Sequence, residues 1–218
     1  MKKLVIFDLD GTLINSIKDL AVSTNFALQQ FNYPIHPTED YNLMVGNGIN
    51  KLFERALPQG EKTEENTLKM REIFLKHYDE HIADYTQPYL GISELLEKLQ
   101  SHKMLLAVAS NKYQQGTEKL VLRLFPSIPF IATLGQRKEV PSKPDSTILI
   151  EIIEKAGVSP KETLMIGDSG VDMQTANNAN VDACGVLWGF RSLEELKQFH
   201  PKHIVNKPQE ILDLLGIK

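Results

Sequence analysis

Five short apolar runs are spread along the chain, at residues 3–7, 105–109, 130–133, 163–166 and 184–187. A continuous apolar run of this length is typical of a strand buried on both faces, as in a parallel sheet covered by helices. Between these runs, apolar residues follow helical spacing. The alternation predicts an α/β fold, a Rossmann-like parallel sheet with helices on both faces.

One long stretch departs from this alternation. From about residue 15 to residue 85 the pattern predicts helices and no convincing strand. Because a helical block of about 70 residues exceeds an ordinary crossover connection, we expect an inserted helical subdomain. The expected division is an α/β core of residues 1–14 and 86–218 and a helical cap of residues 15–85.

Composition and charge narrow the class of protein. Of the 218 residues, 42% are hydrophobic and 24% are charged, as in ordinary globular proteins. The formal net charge of −4 provides no broad positive field for nucleic acid. The single cysteine, Cys184, can form no internal disulfide, and no apolar run is long enough for a signal peptide or a membrane span. We therefore expect a cytoplasmic protein, monomeric or homodimeric, without a nucleic-acid or membrane partner.

Polar residues follow four of the predicted strands. They are Asp8, Asp10, Gly11 and Thr12 after the first strand, Ser110, Asn111 and Lys112 after the second, Lys143 beyond the third, and Asp168, Ser169 and Asp172 after the fourth. Because ligands bind at the carboxyl ends of strands in open parallel sheets, these side chains are expected to converge. Carboxylates brought together repel one another, and a hard cation such as Mg²⁺ relieves that repulsion. A carboxylate nucleophile, Mg²⁺ and a lysine describe phosphoryl transfer through an aspartyl-phosphate.

These motifs resemble those of a known enzyme family. The segments Asp8-Leu-Asp-Gly-Thr-Leu13, Ser110-Asn111, Lys143-Pro144 and Gly167-Asp-Ser-Gly-Val-Asp172 closely resemble the four motifs of the haloacid dehalogenase-like phosphohydrolases, in the same order. The resemblance runs over nearly the whole chain, and the helical insertion after the first motif looks like a C1-type cap. Segments 45–48, 88–91 and 188–192 are similar to segments of the phosphoglycolate phosphatase-like members.

The resemblance implies a role for each residue of the first motif. Asp8 is expected to be the nucleophile and a metal ligand. Asp10 is expected to protonate the leaving oxygen and then to activate water, while its backbone carbonyl also contacts the metal. Thr12 is expected to orient Asp10 or to brace the loop.

The other three motifs are expected to hold the phosphoryl group and the metal. Ser110 and the amide of Asn111 would bind the phosphoryl group, and Lys143 would neutralise both the nucleophile and the phosphate. Asp168 would ligate Mg²⁺ directly. Asp172 would act on the metal through a water or would hold Lys143 in place.

The cap is expected to determine specificity, because a lid over the phosphate excludes water and contacts the rest of the substrate. Asn47 and Lys51 are the candidate substrate-binding residues of the cap, with Arg55 beside them. Alternatively, Lys51 and Arg55 form only the solvated side of an amphipathic helix.

The combined expectation is a Mg²⁺-dependent phosphatase that hydrolyses a small phosphorylated metabolite, similar to the phosphoglycolate phosphatases. Alternatives within the same chemistry are an inorganic pyrophosphatase, a nucleotidase and a sugar-phosphate phosphatase. A receiver-like signalling module and a catalytically silent phosphate-binding module are the alternatives from other classes. The intact set of Asp8, Asp10, Lys143 and Asp168 favours the enzyme.

Overall fold

The computed structural model describes residues 1–217, and strands and helices alternate in it except between residues 16 and 86. The strands are β1 (Leu4–Phe7), β2 (Ile14–Asn15), β3 (Gln87–Pro88), β4 (Leu105–Tyr113), β5 (Ala132–Gln136), β6 (Thr163–Gly167), β7 (Asp182–Val186) and β8 (His203–Val205). The α-helices are α1 (Ile17–Gln30), α2 (Tyr41–Met44), α3 (Ile49–Ala56), α4 (Glu64–His81), α5 (Ile92–Ser101), α6 (Gln114–Leu124), α7 (Thr147–Ala156), α8 (Gly170–Asn178), α9 (Leu193–Lys197) and α10 (Gln209–Leu215). No helix within residues 1–217 is both long and apolar enough to cross a membrane.

Six strands form a parallel sheet in the order β5-β4-β1-β6-β7-β8. Strand β1 pairs with β4 on one side and with β6 on the other, so that Phe7 lies beside Val108 and Ile166. The chain proceeds outward from β1 in both directions, first through β4 and β5 and later through β6, β7 and β8. The carboxyl ends of β1, β4 and β6 therefore border the place where a sheet of this kind binds its ligand.

The sheet is covered on both faces. All four side chains of β1 are fully buried, with Val5 and Phe7 in one hydrophobic cluster and Leu4 and Ile6 in the other. Helices α5, α6 and α10 contribute to the first cluster, and α7 and α8 contribute to the second. Since apolar burial on both faces is what the continuous apolar runs predict, the expected α/β fold class is confirmed.

Helices α1 to α4 lie between β2 and β3, and no strand of the six-stranded sheet comes from this stretch. Strands β2 and β3 form a separate antiparallel pair where the stretch begins and ends. Asp19, near the start of α1, accepts hydrogen bonds from the backbone N–H groups of Tyr85 and Thr86 and, at 2.6 Å, from the Thr86 hydroxyl. The two ends of the insertion are thus held together. The division into a core and a cap at residues 15 and 85 stays a prediction.

Several strands differ in detail from the sequence prediction, among them β7, which spans Asp182–Val186 rather than residues 184–187. Strand β4 continues past residue 109 to Tyr113, with a register shift against β5 between Ala109 and Tyr113. Strand β5 begins two residues later than expected, at Ala132. The short strands β2, β3 and β8 were not predicted, because two or three residues carry no detectable periodicity.

Candidate active site

Asp8 is the first residue after β1, and its backbone N–H donates to the carbonyl of Ile166 at 2.9 Å. The chain then turns sharply, with Gly11 at φ +90° and the carbonyl of Leu9 accepting from the N–H groups of Leu13 and Ile14. A Cβ atom on Gly11 would lie 2.4 Å from an oxygen of the Asp168 side chain. The turn therefore needs glycine both for its backbone conformation and for the close approach of Asp168.

The Lys143 ammonium lies at the centre of the site, with its side chain 2% exposed. It donates to Asp8 Oδ1 at 2.8 Å, to Asp172 Oδ1 at 2.6 Å and to the carbonyl of Ala109 at 2.8 Å. These contacts use all three of its donors. The side-chain amide of Asn111 holds the Lys143 backbone, accepting from its N–H at 2.8 Å and donating to its carbonyl at 3.0 Å. Lys143 therefore joins the ends of β1 and β4 to the start of α8.

Asp168 and Asp172 follow β6 and are both buried. Asp168 accepts from the N–H of Phe190 at 2.7 Å, and the Thr12 hydroxyl lies 3.5 Å from its other oxygen. Asp172 accepts from the hydroxyl and the N–H of Ser169, which is the N-cap of α8. Of the expected roles, Asp172 makes the contact needed to hold Lys143, and Thr12 faces Asp168 rather than Asp10.

The electrostatics of this group favour a cation. Ligand oxygens of Asp8, Asp168 and Asp172 lie within 4.8 Å of one another. Burial raises the pKa of Asp8 to about 7 despite the opposing charge of Lys143, and burial also raises the pKa of Asp168 well above its ordinary value, with Asp172 and Asp8 adding to the effect. Burial opposes the charge of Lys143, but the Asp172 and Asp8 carboxylates outweigh it and raise the Lys143 pKa. Three carboxylates with one ammonium leave negative charge uncompensated, so this donor set fits a hard divalent ion.

The Asp10 side chain has different partners. The Ser16 hydroxyl donates to Asp10 Oδ1 at 2.5 Å, although Ser16 occupies the N-cap position of α1 and could have capped the helix instead. The Lys112 ammonium lies 3.2 Å from both Asp10 oxygens. The sequence assigned no role to Lys112, which lies within β4 in the stretch where the register against β5 shifts.

A cleft lies between the strand ends and the helical insertion. Its polar lining consists of Asp8, Asp10, Ser110, Asn111 and Lys112. Its other lining residues come mostly from the insertion, and they are Leu20, Val45, Gly46, Gly48, Ile49, Leu52, Phe74, Tyr78 and Tyr113. The carboxylates thus face a mainly apolar wall that the insertion provides.

The two predicted cap residues lie elsewhere. Asn47 accepts from the Arg55 guanidinium at 2.8 Å, and Lys51 pairs with Glu54 at 2.6 Å. The Lys51 side chain is 56% exposed, and neither Asn47 nor Lys51 lines the cleft. The structure brings the core-motif residues together but does not bring these two to them, and their binding of substrate stays a prediction.

A loop after β7 contributes contacts that the sequence prediction missed. The indole N–H of Trp188 donates to the carbonyl of Thr12 at 3.0 Å, and Phe190 holds Asp168 as described above. The Arg191 guanidinium donates to the carbonyl of Val45 at 2.7 Å and to that of Asn42, both in the insertion. The similarity of residues 188–192 to a segment of known phosphatases was the signal that could have identified this loop.

Comparison with known proteins agrees with this geometry. The family model described as haloacid dehalogenase-like hydrolase matches residues 5–186. A phosphoglycolate phosphatase of Mannheimia succiniciproducens is 33% identical over 221 residues, covering 99% of this chain and 97% of that protein. A phosphoglycolate phosphatase of Aquifex aeolicus is 30% identical over 213 residues, covering 98% and 96%.

A solved structure gives the same result. The crystal structure described as a predicted phosphoglycolate phosphatase from Haemophilus somnus superimposes with a TM-score of 0.90 at 30% identity, covering 98% of each chain. The expected resemblance is thus confirmed, and so is the expectation of an enzyme of the phosphatase type rather than a silent binding module. With motifs, fold and relatives in agreement, the chain belongs to the haloacid dehalogenase-like hydrolase family.

Proposed function

We propose that this enzyme is a Mg²⁺-dependent phosphatase that hydrolyses a small phosphorylated metabolite of the phosphoglycolate type through a phosphoaspartate on Asp8. The observation that carries the proposal is the position of Asp8. Its carboxylate lines the cleft while the buried Lys143 holds one of its oxygens at 2.8 Å. A carboxylate fixed in this way at the floor of a cleft is placed for attack on a bound phosphorus atom.

The reaction has two steps. In the first, an Asp8 oxygen forms a bond to phosphorus as the phosphorus–ester oxygen bond breaks, and Asp10 gives its proton to the leaving oxygen. In the second, Asp10 takes a proton from water, whose oxygen bonds to phosphorus as the bond between phosphorus and the Asp8 oxygen breaks, which releases phosphate and restores the Asp8 carboxylate. The contacts of Asp10 with Ser16 and Lys112 hold its side chain at the cleft.

The phosphoryl oxygens need donors that are already in place. Ser110 lines the cleft beside Asp8 and can donate its hydroxyl. Lys143 brings positive charge to the nucleophile, and the side chain of Asn111 positions Lys143. Such preorganised donors stabilise the charge that develops on the phosphoryl group during transfer.

Asp8 and Asp168 are the residues that would hold Mg²⁺, with the backbone carbonyl of Asp10 expected beside them. Asp172 lies in the same cluster, but its oxygens accept from Lys143 and Ser169, so we assign it to positioning Lys143. When bound, the ion neutralises the carboxylates and withdraws charge from the phosphoryl oxygens.

A small substrate is favoured by the cleft and by the relatives. The wall that faces Asp8 is mainly apolar and offers few partners for the hydroxyl groups of a sugar or a nucleoside. The relatives named phosphoglycolate phosphatase match this chain over nearly its whole length. Pyrophosphate, nucleotides and sugar phosphates therefore rank below phosphoglycolate as expected substrates.

The test is steady phosphate release by the purified enzyme. With Mg²⁺ we expect turnover of phosphoglycolate and of p-nitrophenyl phosphate, and loss of both on addition of EDTA. Asp8→Asn should lower kcat at least about 10³-fold, because it removes the nucleophile. Asp213→Asn, an exposed carboxylate on α10, is the matched control and should retain activity.

Two results would contradict the proposal. Unimpaired turnover by Asp8→Asn would reject Asp8 as the nucleophile. A panel in which pyrophosphate, a nucleotide or a sugar phosphate exceeds phosphoglycolate in kcat/KM would reject the substrate while leaving the phosphatase chemistry in place.

A further inference from the structure

Lys112 contributes the only cationic side chain to the described lining of the cleft. Its side chain is 4% exposed, and its ammonium lies 3.2 Å from both Asp10 oxygens and 4.8 Å from the centre of the Tyr78 ring. The three donors of Lys143 are already used by protein oxygens. Lys112 is therefore the lysine that can bind a negative group of the substrate other than the phosphoryl group.

Tyr78 supplies an independent observation in the same cleft. Its ring is fully buried, and its hydroxyl has no hydrogen-bond partner within residues 1–217. A buried hydroxyl without a partner loses the hydrogen bonds that water would give it. Because Tyr78 lines the cleft beside Lys112, a polar group of a bound substrate would satisfy this hydroxyl.

Geometry limits where the second group of the substrate can be. A general acid works within about 2.6–3.2 Å of the oxygen it protonates, so the Lys112 ammonium lies within about 6 Å of the leaving oxygen. A carboxylate on the ester carbon places its oxygens about 3 Å from the ester oxygen by ordinary bond lengths. An ammonium–carboxylate hydrogen bond covers about the remaining 3 Å.

We infer that Lys112, assisted by the Tyr78 hydroxyl, binds the carboxylate of the substrate and selects short phosphorylated acids whose carboxylate is attached to the ester carbon. This inference rests on the proposed function and adds the residue that sets its specificity. It moves that role from the exposed Lys51 of the insertion to a buried lysine of β4. The apolar walls around Lys112 strengthen the ion pair because they exclude water.

The first experiment needs no variant. The native enzyme with Mg²⁺ is assayed on phosphoglycolate, on ethyl phosphate, which has the same number of carbons but no carboxylate, and on 3-phosphooxypropionate, whose carboxylate is one carbon further away. We expect kcat/KM for phosphoglycolate to exceed both by about 10- to 100-fold, the range of a charged hydrogen bond. Equal values for phosphoglycolate and ethyl phosphate would overturn the inference, although phosphatase activity would stand.

The second experiment assigns the preference to the lysine. Lys112→Met should lower the ratio of kcat/KM for phosphoglycolate to that for ethyl phosphate by about 10- to 100-fold, and Lys112→Arg should keep most of it. Lys69→Met, an exposed lysine of α4, is the control and should leave the ratio unchanged. If Lys112→Met lowers both substrates equally, the lysine only positions Asp10 and the inference fails. Absence of turnover on every ester would instead reject the proposed function itself.

Discussion

Replacing Gly11 with alanine tests whether the first turn and the carboxylates proposed to bind the metal form one rigid unit. Gly11 has φ +90°, outside the conformations that alanine adopts readily, and the strain alone is worth about 1–2 kcal/mol. The new Cβ would lie 2.4 Å from one oxygen of Asp168 and 2.8 Å from the other. An ordinary contact needs about 3.5 Å, so Asp168 would have to move by about 1 Å.

A shift of that size should lower both the activity and the stability of the enzyme. A displacement of about 1 Å in a catalytic constellation lowers the rate about 10²-fold. We therefore expect Gly11→Ala to lose about 10²-fold in kcat/KM and to need more Mg²⁺ for half-maximal activity, while urea unfolding shows a loss of about 1–3 kcal/mol. The assays are phosphate release across a Mg²⁺ titration and equilibrium unfolding followed by circular dichroism.

Gly157 provides a matched control. It ends α7 with φ +65°, and a Cβ atom there would meet no atom within 4 Å. Gly157→Ala should lose about 1 kcal/mol of stability from the left-handed backbone and keep the native kcat/KM. Equal activity of Gly11→Ala and Gly157→Ala would show that Asp168 does not need its present position, and the reasoning would be wrong.

Three further predictions follow from the same contacts. Lys143→Met leaves the buried Asp8 and Asp172 carboxylates without their cation. We expect the free energy of unfolding to fall by about 3–5 kcal/mol at pH 7.5 and by less at pH 5.5. Urea titrations at the two pH values measure this difference. Burial raises the pKa of Asp8 from 3.8 to about 7, so the metal-free protein loses stability as the pH rises between these two values, and the loss levels off above about 7. Because Mg²⁺ would bind the ionised carboxylate, it should raise Tm more at pH 8 than at pH 6, and equal shifts would contradict this. Arg191→Met removes two hydrogen bonds to the insertion. We expect kcat/KM to fall about 10-fold and proteolysis within residues 42–47 to become faster. An unchanged rate of cleavage would show that Arg191 does not restrain residues 42–47.

The sequence was sufficient for the parts of the site that follow from strand topology. Asp8, Ser110 and Asp168 each lie at or just after the end of a buried apolar run, and parallel pairing brings those ends to one edge of the sheet. Lys143 is far from any of them in sequence, and its identification depended on the motif resemblance. Its backbone contacts with Asn111 join the second and third motifs in the fold.

The sequence was insufficient where a side chain chooses among several partners. The sequence suggested that the Asn47 amide could bind substrate, but in the fold its oxygen accepts a hydrogen bond from Arg55. Lys112 follows Ser110 and Asn111 in the sequence, and nothing in that local pattern indicates that its ammonium contacts Asp10 in the fold. Ser16 has the sequence of a helix cap, yet Asp10 takes its hydroxyl instead. The local sequence pattern does not show which of several partners, distant in sequence, a side chain contacts in the fold.

Within four residues, the loop after β7 makes three contacts with residues that are distant in the sequence. Trp188 is anchored to the carbonyl of Thr12, Phe190 to Asp168 and Arg191 to Val45. Inserting or deleting one residue between Trp188 and Arg191 would displace at least one of these anchors relative to the others. Related chains that conserve this chemistry should consequently vary in length before Trp188 or after Arg191 and keep the interval between them constant.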